Sequence, residues 1–170
     1  MLLKSFRVAS SQLAALVLTV TILTGCGGSS ASNEQPQTVT GPGFSFSAPA
    51  DWQPAVGKRR ASASHDDELV QVAAFPLLKP YSDALFDRVD RELRARMRQI
   101  AGQTGGMITS SSTVTTGGIR SHSYEVTAGD HVDQYTFALR GMREFQLLCR
   151  RASASSDAAC AQLITSFRPV

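Results

Sequence analysis

The chain of 170 residues has only three cysteines, three histidines and one tryptophan, and 18% of its residues are charged. No Cys-x-x-Cys spacing occurs, which removes the usual dithiol redox motif. No Walker loop, G-x-G-x-x-G, H-E-x-x-H or EF-hand pattern is present, so the phosphate, dinucleotide, zinc-protease and calcium chemistries served by those spacings find no support. Serines are abundant, yet no G-x-S-x-G elbow accompanies them, and no His-to-Asp pair that would orient a nucleophile is legible. No catalytic residue, metal ligand or cofactor is therefore expected.

The N-terminal segment is where the sequence speaks most clearly. Lys4 and Arg7 precede an apolar core from Leu13 to Leu23, and small residues lead to Cys26. That is secretory signal architecture. The run is broken by Thr19, Thr21 and Thr24 and falls short of the roughly 20 residues of a retained transmembrane helix. Leu23-Thr24-Gly25-Cys26 resembles the lipobox of bacterial lipoproteins. The resemblance implies a signal peptide over residues 1–25, cleavage before Cys26, and a diacylglyceryl group on its sulfur. Each buried methylene of such a group contributes about 0.8 kcal/mol, and two chains anchor stably. The expected location is the extracytoplasmic face of the cell membrane.

Cleavage there would lower the formal charge from +3 to +1, because Lys4 and Arg7 leave and no acidic residue precedes Glu34. A balance so near neutral is not that of a nucleic-acid binder. Residues 26–42 are rich in Gly, Ser, Asn, Gln, Thr and Pro, with almost no large apolar side chain, and read as a lipidated N-terminus and flexible tether spanning roughly 20 Å. Residues 43–170 remain for a single domain with a core of its own.

Within that domain Phe44 and Phe46 alternate with serines before Pro49, a half-buried strand, and Trp52 is expected to plug one end of the core. Lys58 to Asp67 reads as a polar loop. Leu69 to Phe75, apolar on both faces, reads as a central strand. Tyr81 to Gly102 is the one long helix, with an N-cap signal at Ser82 and an end at Gly102. Phe86, Val89, Leu93, Met97 and Ile100 form its apolar stripe. Arg88, Arg91, Arg94, Arg96 and Arg98 occupy most of the rest. They read as a solvated face laced with Asp and Glu partners, with a surface for anionic lipid headgroups or an acidic partner as the alternative.

Ile119 to Thr127 and Val132 to Arg140 read as a hairpin. Pairing Thr127 with Val132 sets Tyr124 against Tyr135 and His122 against Phe137 on one aromatic face, and Ser123 against Thr136 and Glu125 against Gln134 on a face expected to be wet. For the next turn, a two-residue loop at Gly141-Met142 would put Leu139 opposite Glu144 and mix the two faces. A three-residue loop aligns Leu139 with Phe145, pairs Arg140 with Glu144, and is the preferred register. With these registers no convergent polar cluster forms, so an enzyme is not expected.

A short helix over Asp157 to Phe167 carries Cys160, Leu163, Ile164 and Phe167 on one stripe. Once Cys26 is given to lipid, Cys149 and Cys160 remain, both facing inward in an exported domain. A structural disulfide is the expected pairing, worth about 3 kcal/mol, against two buried free thiols or a redox pair. His65-Asp66-Asp67-Glu68 reads as a solvated turn rather than a metal site, His131 as turn chemistry beside Asp130 and Asp133, and His122 as a hydrogen-bonded core or pocket-edge residue.

The element order, with Phe44, Phe46, Pro49 and Trp52 ahead of a strand, a long helix, a meander and a terminal helix, resembles the PsbP-like (Mog/PsbP, LpqN-type) fold. The closing run from Phe145 through Cys149 and Cys160 to Phe167 is similar to small exported proteins of this group. The resemblance implies an α+β fold: a single α/β/α sandwich with a mostly antiparallel sheet, one long helix and a short C-terminal helix. It also implies a non-enzymatic module that binds partners. Two functions are expected to compete: an interaction or scaffold module that meets an envelope protein, and a carrier of a small apolar or lipid ligand. The membrane, reached through the lipid anchor, is the one partner both share.

Overall fold

A computed structural model describes residues 35–170; Cys26 and the signal segment lie outside the described residues. Two antiparallel sheets and two helices build the fold, which is α+β as expected. A three-stranded sheet contains β1 (Gln37–Gly41), β2 (Phe44–Ala48) and the short C-terminal β9 (Arg168–Pro169), in the order β1-β2-β9. The larger sheet contains β3 (Gln53–Val56), β4 (Arg60–His65), β5 (Glu68–Tyr81), β6 (Met107–Thr116), β7 (Ile119–Ala128) and β8 (His131–Ala152), in the order β3-β4-β5-β8-β7-β6. Helix α1 (Phe86–Thr104) covers one face of it. Helix α2 (Ala158–Ser166) and the small sheet cover the other.

Four elements differ from expectation. β1 lies inside the stretch assigned to the tether. It is held by pairing Val39 with Phe46 and by burying Val39, the one large apolar residue there. β4 replaces the expected polar loop: Ala61 and Ala63 alternate with serines and point into the core, but residues so small make no strong periodic signal. β6 is Ser/Thr-rich and mostly exposed, so it too carried no apolar pattern. Helix α1 starts after a 3-10 turn at Asp83–Leu85 and runs past Gly102 to Gly105, whose φ of 66° supplies the left-handed stop. Ser82 precedes the 3-10 turn, but its side chain makes no capping bond. The apolar stripe of α1 holds, with Phe86, Leu93 and Met97 buried.

The β7–β8 register matches the expected pairs from Thr127/Val132 to His122/Phe137. The next turn does not match. β8 folds back on itself, because Asp133 and Arg150 meet at 2.7 Å and the Ser153 amide donates to the Asp130 carbonyl at 2.7 Å. Propagating that register leaves Gly141-Met142 as a two-residue loop, with Leu139 opposite Glu144 and Phe137 opposite Gln146. Gly141, at φ 55°, suits the first position of a tight primed turn. One arm of β8 pairs with β7 and the other with β5.

The preferred three-residue loop fails because the sheet is buried on both faces. Phe137 and Leu139 pack with Tyr124 under α1, while Phe145, Leu147 and Cys149 pack with Phe44, Leu163 and Phe167 on the other side. The mixed faces are two cores. For the same reason the face expected to be wet is covered: Ser121, Ser123 and Thr136 are buried, with Ser123 and Thr136 hydrogen-bonded at 3.0 Å. Trp52 is buried in the second core, and the Cys149–Cys160 disulfide clamps α2 to β8 as expected.

Candidate functional site

Two surface features combine concavity with functional side chains. The first is a polar cleft of about 340 Å³ between α1, β6 and β7. Strand alternation places Arg120, His122 and Tyr124 on the face beneath α1, and the helix brings Asp90 down between them. Asp90 Oδ1 accepts from the Tyr124 hydroxyl at 2.6 Å and Oδ2 accepts from Arg94 Nε at 2.7 Å. Burial opposes its ionised form, but the hydrogen bonds from Tyr124 and Arg94 prevail and hold its carboxyl below the usual carboxylate value. Burial, then the bond to Asp90, raises the Tyr124 hydroxyl far above the ordinary tyrosine range.

His122 is buried, with its ring stacked on Phe86 at 3.7 Å. Its Nε2 donates to the Phe86 carbonyl at 3.1 Å, which places the proton on Nε2, and Nδ1 lies 3.5 Å from Asp90 Oδ1. Burial is the largest influence on it and lowers its basicity, although the Phe86 carbonyl and Asp90 pull the other way. Burial thus disfavours the charged ring; Nε2 is committed to the Phe86 carbonyl, while the unprotonated Nδ1 faces Asp90 Oδ1 without a hydrogen bond. Arg120 lies over the Phe86 ring at 3.8 Å, and two of its neighbours in the cleft, Ser111 and Thr113, come from β6. This cluster was not legible in the strand registers, because Asp90 arrives from a helix whose docking the sequence does not state.

The second feature surrounds Met142 at the tip of the β8 hairpin. Met142 is 48% exposed and stands between two open clefts of about 380 and 520 Å³. Pro42, Phe75, Pro76, Pro169 and Val170 supply apolar lining, and Lys58, Arg59, Arg140 and Arg143 supply cationic lining. Met142 falls in the turn under either loop length, but the residues that gather around it come from distant parts of the chain. A third concavity, between α1 and the end of β5, measures about 210 Å³ and carries Leu77, Tyr81, Val89, Leu93 and Leu139 beside Glu92, Arg96 and Glu144.

The remaining sequence candidates are dispersed. Arg94 pairs with Asp90, and Arg96 with Glu144 at 2.9 Å. Glu144 thus meets the helix rather than Arg140. Arg88, Arg91 and Arg98 have no carboxylate at ion-pair distance among the described residues. His65 lies 3.8 Å from Asp51 and 3.5 Å from Asp66 in an exposed turn, and no group of three potential metal ligands gathers among the described residues. His131 lies 3.6 Å from Asp130, whereas Asp133 is buried against Arg150 instead of sharing the turn. No helix of the described residues is long and apolar enough to cross a membrane.

No protein-family model and no curated protein matches the sequence. Two solved structures are similar in fold. The solution structure of cyanobacterial PsbP (CyanoP) from Synechocystis sp. PCC 6803 aligns with a TM-score of 0.59 and 16% identity, covering 87% of this chain and 99% of that one. A crystal structure of a protein from Bacteroides thetaiotaomicron VPI-5482 aligns with a TM-score of 0.51 and 15% identity. It covers 75% of this chain, which spans less than half, 45%, of that longer protein. Identities this low speak for the fold alone, and the fold of this chain is PsbP-like.

Proposed function

We propose that this protein is a lipid-anchored, extracytoplasmic interaction module that docks on an envelope protein without catalysing a reaction. Cys26 is the attachment point, with ten residues of sequence between it and the start of β1 at Gln37. What supports docking is the surface around Met142, where exposed apolar side chains and four cations line the two adjoining clefts. Exposed apolar side chains bordered by charged ones are the composition of a protein contact. The carrier reading draws less support, since the apolar cleft beside α1 holds about 210 Å³, below the roughly 300 Å³ at which small-molecule sites begin.

The test is a photo-crosslinking amino acid at position 142, followed by isolation from membranes with lipid extraction of the same sample. A discrete protein adduct is expected, lost when Arg143 and Arg59 are changed to glutamate. Stoichiometric lipid and no protein adduct would make the protein a carrier. Mass spectrometry of the isolated chain and of Cys26→Ser reports the anchor: the variant should leave the membrane fraction.

A further inference from the structure

The two edges of the large sheet are treated differently by the sequence. β3 has four residues, includes Pro54, and is followed by Lys58-Arg59-Arg60, the usual devices against strand addition. β6 has ten residues, MITSSSTVTT, with no charge and no proline; it pairs only with β7 among the described residues, and past a register shift between Ile108 and Ser110 its stretch from Ser110 to Thr116 is regular. Its outer backbone donors and acceptors form a ready template for another strand.

The surroundings of that edge select the strand. Arg94 Nη1 donates to Ser111 Oγ at 3.2 Å, so this side of α1 overhangs β6. Arg91 and Arg98 stand about one turn to either side of Arg94 on the same helix flank. Arg120 joins Arg94 in the 340 Å³ cleft that opens between α1 and β6. Two carboxylates also line the cleft: Asp90 is bound to Tyr124 and Arg94, and Asp87 is exposed at its margin, so the excess of positive charge comes from Arg91 and Arg98 on the helix flank. A second copy of this chain would bring two arginine flanks together and no carboxylate from β6, so self-pairing is disfavoured.

We propose that β6 accepts an extended acidic strand of a partner protein by β-augmentation, with one of its carboxylates entering the cleft toward Arg120. Main-chain bonds along β6 supply affinity, and the arginine flank supplies selectivity. The proposal rests on the interaction-module reading and gives that module a second, separate surface.

The probes are three blocked decapeptides alternating valine with glutamate, serine or lysine, titrated into the isotopically labelled full chain in detergent. Amide shifts and hydrogen exchange of β6 are the readouts. The glutamate peptide should shift and protect β6 amides, bind about tenfold more tightly than the serine peptide, and weaken with salt. The lysine peptide should leave β6 unchanged. Arg91→Glu with Arg98→Glu, both on the helix surface, should weaken the glutamate peptide about fivefold. Its own spectrum reports whether it is folded, and the three-peptide comparison on the unmodified chain stands without it. No binding by any peptide, equal binding of the lysine peptide, shifts centred on Met142, or concentration-dependent protection of β6 by a second copy would each overturn the proposal. A protein adduct at position 142 with no peptide bound to β6 would remove this inference and leave the module reading intact.

Discussion

Arg150 forks onto Asp133 across the two arms of β8, Nε to Oδ1 at 2.7 Å and Nη2 to Oδ2 at 2.8 Å. Asp133 is 3% exposed, while the arginine side chain keeps 39% of its surface in contact with solvent. The pair locks the base of the hairpin in the register that places Leu139 opposite Glu144. Arg150→Ala would strand a buried carboxylate and should cost about 2–3 kcal/mol. Adding Asp133→Asn should restore part of that loss. Urea unfolding of the single and double variants measures it, and an unchanged midpoint for Arg150→Ala would count against the pair as a register lock.

Cys149 and Cys160 close a loop of eleven positions at the junction of α2 with the sheet. Reduction should lower stability by about 3 kcal/mol. Because both residues are buried, the bond should resist mild reductant until the fold opens. Thermal melts with and without dithiothreitol test this, and identical melting temperatures would show that α2 needs no covalent clamp.

Gly117 turns the chain between β6 and β7 at φ 56°, and a Cβ there would lie 2.7 Å from Pro169 and 2.9 Å from Phe167. Gly117→Ala therefore meets both backbone strain and a clash with the C-terminal strand. It should destabilise by about 2 kcal/mol or more. Gly118→Ala, with φ 74° and open space around the added carbon, should cost less. Equal midpoints for the two variants would show that the contact with Phe167 and Pro169 carries no weight.

His122 sets a pH dependence with a definite sign. Burial holds its folded value below the ordinary 6.5, so the unfolded chain binds the proton more readily. Stability is greatest above about pH 7 and falls as pH drops through 6.5 toward the folded value. Asp90 acts in a lower window: its folded value lies below the ordinary 3.8, so its contribution persists above that pH and is lost beneath it. Urea midpoints between pH 7.5 and 5 should decline in the native chain and decline less in His122→Gln. Parallel slopes would assign the effect elsewhere.

Much of the fold is legible in local pattern. The alternation of Phe44 and Phe46, the stripe from Phe86 to Ile100, the β7–β8 pairs and the inward cysteines follow from periods of 2.0 and 3.6 acting on large apolar side chains. What escaped was small or polar. β4 is built on Ala61 and Ala63, β6 on serine and threonine, and neither writes a strong period. The Asp90–His122–Tyr124 cluster escaped for another reason: its members sit on a helix and a strand far apart in the chain.

The sequence by itself determined the helix–strand grammar, the two apolar sets that needed burial, and the two cysteines available to pair within the domain. Only the tertiary structure decided that those sets belong to opposite faces of one sheet. A hydrophobic pattern states which residues leave water, but not how many layers cover them. With α1 on one side and α2 with the small sheet on the other, the two-residue turn at Gly141-Met142 buries both sets at once. The longer turn would have piled them on a single face and left the other core empty.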